Sequence, residues 1–256
     1  MARVYQNERG HLKETDSLWE ALSLESVPHS VISLVGAGGK TSTMFRLAEE
    51  CRAGGRRVIV TTSTHIFYPD SYPVALIKRA EDLEKWDEWT DILVVAGSKD
   101  EETKKLAGLS LPEIGRLRNY CDVLLIEADG SRQLPLKLPA EHEPALIEET
   151  EAVIGCAGLS AIGKRWKDAC FRWERAGQVL GETEEDFREK KILPQDAAVI
   201  LMDEKGTRKH VGERCYRILL NQMDGEKQKA DAEEILRLIE KESGNEELII
   251  AGSCYL

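Results

Sequence analysis

Six consecutive residues, Gly36-Ala37-Gly38-Gly39-Lys40-Thr41, bring together backbone freedom, a cation and a hydroxyl. Glycines let successive N–H groups turn inward around an anion, and a helix that starts there adds partial positive charge. Lys40 can reach terminal phosphate oxygens, Thr41 can offer its hydroxyl to Mg²⁺, and Ser42 continues into the first helical turn. The match to a full phosphate loop is incomplete, because the glycine expected five positions before Gly39 is Leu34. What remains is a shortened Gly-x-x-Gly-Lys-Thr loop, of a kind some nucleotide-dependent ligases use. The plain alternative is a glycine-rich strand–helix turn. Lys-Thr at this place favours phosphate.

A second group is Glu127-Ala128-Asp129-Gly130-Ser131-Arg132, at the end of an apolar run. A strand that ends in acids can supply the carboxylate that holds Mg²⁺ and helps place a nucleophile. Either Glu127 or Asp129 could do so, with Asp129 slightly favoured. Gly130 would let the backbone approach a γ-phosphate, and Arg132 would neutralise charge there.

Three further stretches are less specific. Thr61-Thr62-Ser63-Thr64 suits a polar rim facing phosphate or an ordinary strand-end turn, and His65 beside it reads as a surface or packing residue. Asn221-Gln222-Met223-Asp224 echoes the Asn-Lys-x-Asp signature of GTPases, where the Asp accepts hydrogen bonds from guanine and the Asn ties neighbouring loops together. The proline-rich stretch 134–144 reads as a wrapped surface loop or as a substrate loop that carries Lys137, Glu141 and His142 over a nucleotide.

The elements that must position these residues follow from hydrophobic pattern. Strands are expected at 31–35, 57–61, 75–77, 92–96, 122–127, 152–156, 215–220 and 247–251. Helices are expected at 40–51, ending at Gly54-Gly55, and at 80–88, 111–120, 172–191 and 227–242, with a short turn at 17–22. Buried strands alternating with helices predict an α/β fold, a mainly parallel sheet with helices on both faces, P-loop NTPase-like. Ligands in such sheets sit at the carboxyl ends of the strands. The expected organisation is an N-terminal extension over residues 1–28 and a P-loop-like domain over 29–256, with 160–212 as an insertion or small subdomain.

Of 256 residues, 35 are Lys or Arg and 46 are Asp or Glu, a net charge of −11 that argues against nucleic-acid binding. The N-terminus has no signal-peptide core and no apolar run approaches a membrane span, so a soluble cytoplasmic protein is expected. The six cysteines form no Cys-x-x-Cys pair. Cys121, Cys156 and Cys215, beside or within strand runs, read as small hydrophobes, and Cys254 as the thiol to test for reactivity.

Residues 36–41, 61–64, 127–132, 135–144 and 221–224 together resemble the YqeC family, described as selenium-dependent hydroxylase accessory proteins or selenium cofactor biosynthesis protein YqeC. The resemblance spans roughly residues 20–256. Its most specific part is Glu-Ala-Asp-Gly-Ser with the Pro-Leu-Lys continuation. It implies a role in maturing selenium-dependent molybdenum hydroxylases, with such a hydroxylase or its cofactor-assembly proteins as partners, and it carries over no catalytic residue. The residues themselves assign Lys40, Asp129 and Glu127 to catalysis, and Thr41, Asp129 and Glu127 to Mg²⁺. Gly36, Ala37, Gly38, Gly39, Lys40, Thr41, Ser42, Arg132, Asn221 and Asp224 are assigned to GTP or ATP, with GTP preferred. The expected activity is a slow Mg²⁺-dependent NTPase. The alternatives are a small-molecule kinase or activating transferase, and a non-catalytic nucleotide-gated scaffold.

Overall fold

A computed structural model describes residues 3–8, 10–27, 30–86, 89, 91–181, 187, 189–243 and 249–254. In chain order the strands are β1 (Arg3–Glu8), β2 (His11–Thr15), β3 (Val31–Gly36), β4 (Val58–Thr62), β5 (His65–Phe67), β6 (Val74–Leu76), β7 (Ile92–Ala96), β8 (Ser98–Asp100), β9 (Lys105–Ala107), β10 (Val123–Glu127), β11 (Leu136–Lys137), β12 (Ala152–Gly158), β13 (Cys170–Phe171), β14 (Cys215–Asn221) and β15 (Ile249–Cys254). The described helices are α1 (Leu18–Ala21), α2 (Lys40–Ala53), α3 (Leu111–Arg116), α4 (Trp166–Ala169), α5 (Ala176–Leu180), α6 (Pro194–Met202) and α7 (Glu226–Ser243).

Ten strands form one sheet in the order β2-β1-β15-β14-β12-β3-β10-β4-β7-β6. From β15 to β6 all neighbours run parallel. Antiparallel pairing in this sheet is confined to β1, which pairs so with both β15 and β2. The fold is therefore α/β with a large, mostly parallel sheet. Every residue of β3, β4, β7, β10 and β12 is buried, which is why these strands read as unbroken apolar runs rather than alternating ones.

Successive side chains of a strand still point to opposite faces. Ile32 and Leu34 share a cluster with Met44, Leu47, Ala48 and Cys51 of α2. Val31 joins the cluster under α3. Val35 joins the one built by α6 and α7, where Ile200, Leu201, Ile235, Leu236 and Ile239 meet Val153, Ile218 and Leu220. Burying each such side chain stabilises the fold by about 1.5–3 kcal/mol.

Residues read as an N-terminal extension are integral to the sheet. Beyond strands β1 and β2, Glu50 of α2 caps α1, accepting from Ser17 Oγ and from the Leu18 and Trp19 amides at 2.8–3.0 Å. Buried Arg217 of β14 holds the Leu22 carbonyl through Nε at 2.8 Å. The stretch 160–212 supplies the crossover from β12 to β14, and its helix α6 packs on α7 and β12, so it covers the sheet. A single helix over 172–191 is not found: a 3₁₀ turn at Trp173–Arg175 leads into α5, which ends at Gly181 in the left-handed region (φ 74°). Residues 182–186 and 188 of that expected helix, and 247 and 248 of the expected last strand, lie outside the described residues. The expected helix at 80–88 is a 3₁₀ turn over Ala80–Trp86, and Asp87 and Glu88 lie outside the described residues. Cys215 is exposed, so it is not a core hydrophobe, whereas burial pushes the Cys156 thiol up to about 12.

The chain leaves β3 toward β4 and β7 on one side, then returns through β10 and continues past β3 to β12, β14 and β15. A reversal of strand order at β3 opens a crevice at its carboxyl end. Two small sheets flank that end: β5-β9-β8, antiparallel, and β11-β13, parallel. Among the described residues no helix is long and apolar enough to cross a membrane.

Candidate functional site

Gly36, Gly38 and Gly39 all have positive φ (87°, 78° and 114°), so the chain turns sharply from β3 into α2. At Gly38 glycine is required twice over. Its φ disfavours any side chain, and a Cβ would overlap the backbone of Gly158 at the end of β12. The loop is clipped in place from outside. The Ala37 amide donates to Cys156 O at 3.0 Å, Gly38 to Leu134 O at 3.2 Å, and Gly158 to Pro135 O at 2.7 Å. The proline-rich loop is thus a wall of the site.

Beneath the loop lies a chain of six alternating charges. Thr41 Oγ1 donates to Glu127 Oε2 at 2.6 Å. Lys40 Nζ lies 4.0 Å from Glu127 Oε1 and 3.1 Å from Asp129 Oδ1, and donates to Gly36 O at 2.7 Å. Asp129 Oδ2 accepts the Gly36 amide at 3.0 Å and meets Lys137 Nζ at 3.0 Å. Lys137 also binds Gly130 O and Glu143 Oε2, both at 2.7 Å. Arg172 closes the chain with a bidentate grip on Glu143, at 2.7 and 3.2 Å. Lys40, Glu127, Asp129, Lys137 and Glu143 are all buried.

Burial alone would lower the Lys40 ammonium, but Asp129 and then Glu127 outweigh it and hold it above its ordinary value. Burial pushes the Glu127 carboxyl up, only partly offset by Lys40 and the Thr41 hydroxyl. For Glu143 burial acts in the same direction but loses. The Lys137 hydrogen bond and charge, the Ala140 amide and Arg172 bring it below its ordinary value.

Above this floor opens a cavity of about 900 Å³. Gly38, Gly39, Lys40, Thr41, Ser42 and Glu127 line its base, and Arg132 lies on the opposite loop. Asp129 does not reach the lining: it sits behind Lys40 and secures the Gly36 amide. Glu127 is the acid that faces the space beside Thr41. Of the hydroxyl run only Thr64 lines the cavity. Thr62 Oγ1 donates to Glu127 O at 2.9 Å and Thr61 Oγ1 to Val95 O at 2.8 Å, which makes them braces of the sheet end.

Asn221 is fully buried and ties three elements, donating to Thr43 Oγ1 at 3.1 Å and accepting from Ser253 Oγ at 2.6 Å. Gln222 lines the cavity, while Asp224 is exposed and outside the lining. Glu141 and His142 are likewise exposed and outside it. Glu143 and Arg172 also belong to the site, although no sequence motif marks them as site residues. Glu143 carried a signal, an acid in a proline-rich loop already suspected of facing the site.

A family model described as YqeC protein matches residues 32–174, more than half the chain. The chain belongs to the YqeC family. A curated relative from Escherichia coli (strain K12), named Uncharacterized protein YqeC, is 36% identical over 193 residues, covering 74% of this chain and 74% of the relative. The segment matched to the family holds the glycine loop, both strand-end acids, Lys137, Glu143 and Arg172. Gln222 is the one lining residue that falls outside it.

Proposed function

We propose that this YqeC-family chain is a magnesium-dependent nucleoside-triphosphate-binding protein with a P-loop NTPase-like site, a slow NTPase that serves the maturation of selenium-dependent molybdenum hydroxylases. One observation carries the reading: Lys40, Thr41 and Glu127 converge on the floor of a cavity at the N-terminus of α2, under a glycine loop that tolerates no side chain at Gly38. The first amides of a helix have no intrahelical acceptors, so an anion there gains both hydrogen bonds and the helix dipole.

The donors present fit Mg²⁺. The Thr41 hydroxyl and the Glu127 carboxylate are hard oxygens, and among the described residues no cluster of three His, Cys, Asp or Glu could cage an ion. A cation here would complete its shell with water and phosphate oxygens, which suits one that arrives with a nucleotide. When bound it would neutralise charge on the phosphates. Lys40 would turn from Asp129 to the terminal phosphate, and Asp129 would keep the Gly36 amide and hence the loop in place. The maturation role rests on the family resemblance.

Calorimetric titration with Mg·GTP and Mg·ATP tests the reading. Lys40→Ala is expected to weaken binding at least tenfold, about 1.4 kcal/mol. Equal affinity in parent and variant removes it. Guanine preference rests on Asp224, which is exposed. Asp224→Asn is expected to erode a preference for GTP over ATP, and a parent indifferent to the base removes that part alone.

A further inference from the structure

The outer lining of the cavity has a composition that phosphate binding does not use. In the β5-β9-β8 sheet, Ile66 and Leu106 point inward and are buried in the core on the α2 side. Alternation turns His65 and Phe67 the other way, and Lys105 is the register partner of Phe67. All three line the cavity. Phe67 is 50% exposed, and Lys105 Nζ lies 5.0 Å from its ring centroid. Asp100, the neighbour of Lys105 on β8, is occupied by the Glu102 and Thr103 amides, each at 2.9 Å.

Arg132 lies on the loop side of the same space. It is exposed, held in the left-handed region (φ 50°), and its guanidinium lies 5.0 Å from the Phe171 ring centroid. Among the described residues neither Lys105 nor Arg132 has a carboxylate partner. The acids of the lining are Glu127 and Glu143, and both are already engaged from below. A chain of net charge −11 thus leaves positive groups and an open aromatic ring together at one mouth.

We infer that this outer lining is a subsite for a second small ligand, an anionic molecule with a planar ring, whose ring lies on Phe67 and whose charge is held by Lys105 with His65 and Arg132 beside it. An aromatic face next to an unpaired cation attracts a flat anion by stacking and by charge at once, and neither group is required by the fold. The inference names a co-substrate class for the cavity and rests on the phosphate reading only for what occupies its floor.

Naphthyl phosphate is the probe, with naphthol (ring without charge) and inorganic phosphate (charge without ring) as controls, titrated by calorimetry. It is expected to bind protein saturated with Mg²⁺ and a non-hydrolysable triphosphate, and to bind more tightly than either control. Phe67→Ala and Lys105→Ala should each weaken the probe by roughly tenfold while nucleotide affinity stays within about twofold. Lys40→Ala should do the reverse. Failure to bind at millimolar concentrations, or equal binding to Lys105→Ala, overturns the subsite. Displacement of nucleotide by the probe, with nucleotide affinity lost in Lys105→Ala, also overturns it, since the outer lining then belongs to the nucleotide's own base. If no nucleotide binds yet the probe binds through Lys105, the subsite stands and the phosphate reading falls.

Discussion

At the floor of the cavity Lys40, Asp129, Lys137 and Glu143 are buried and linked through distances of 2.7–3.1 Å, whereas at its mouth Phe67, Lys105 and Arg132 line open space and the two cations have no acid to hold among the described residues. The floor has to be complete before anything binds. A charge taken out of water is tolerated only if its partners are in place, so each side chain there supports the fold as well as the site. The mouth carries no such duty. Its groups can be removed with little effect on folding, and the loss expected from removing them is in binding at the proposed subsite.

The largest expected effect comes from breaking the floor in its middle. Lys137→Met leaves Asp129 and Glu143 buried without the cation they share, which should cost about 3–5 kcal/mol in urea unfolding. A variant as stable as the parent would show that the floor is not interlocked, and the contrast with the mouth would fail. Next in size is Gly38→Ala. A side chain there meets the backbone of Gly158 at a φ of 78°, and a loss of about 2–4 kcal/mol is expected in thermal unfolding.

The two lining glutamates sharpen the comparison through pH. Glu143 titrates lower in the folded chain than its ordinary value of 4.5, so the unfolded chain binds the proton first as pH falls. Its stabilisation is present above pH 4.5 and is lost below it, and denaturant titration across that range should show this loss in the parent but not in Glu143→Gln. Glu127 is shifted the other way. Its contribution is present below 4.5 and is lost as pH rises through its higher folded value, so at neutral pH its charge opposes folding. Glu127→Gln should therefore keep or raise the melting temperature at neutral pH while weakening Mg·nucleotide binding. A lower melting temperature would place Glu127 with the structural acids. The smallest effect belongs to the mouth, where Lys105→Ala should stay within about 0.5 kcal/mol of the parent by the same unfolding measurement.

Much of this was legible without coordinates. The glycine loop between an apolar run and a helix, the strand that ends in Glu127 and the closing helix near 227–242 all depend on neighbours a few residues apart, and local pattern reports such neighbours well. Residues 172–191 misled because charge and helix propensity are continuous there, while Gly181 ends α5 by its backbone conformation. The contacts of Ser17 and Leu22 with Glu50 and Arg217, far away in the chain, have no counterpart in local pattern.

By itself the sequence determined the class of sheet, the place of the glycine turn between β3 and α2 and the pair of acids near it, because apolar periodicity and glycine act locally. Only the tertiary structure decided that Glu127 faces the cavity while Asp129 braces the loop, and that Lys137, Glu143 and Arg172 complete the charge chain. Those roles are set by which strand ends the parallel sheet places side by side. That adjacency comes from packing across long separations in the chain, which no run of neighbouring residues encodes.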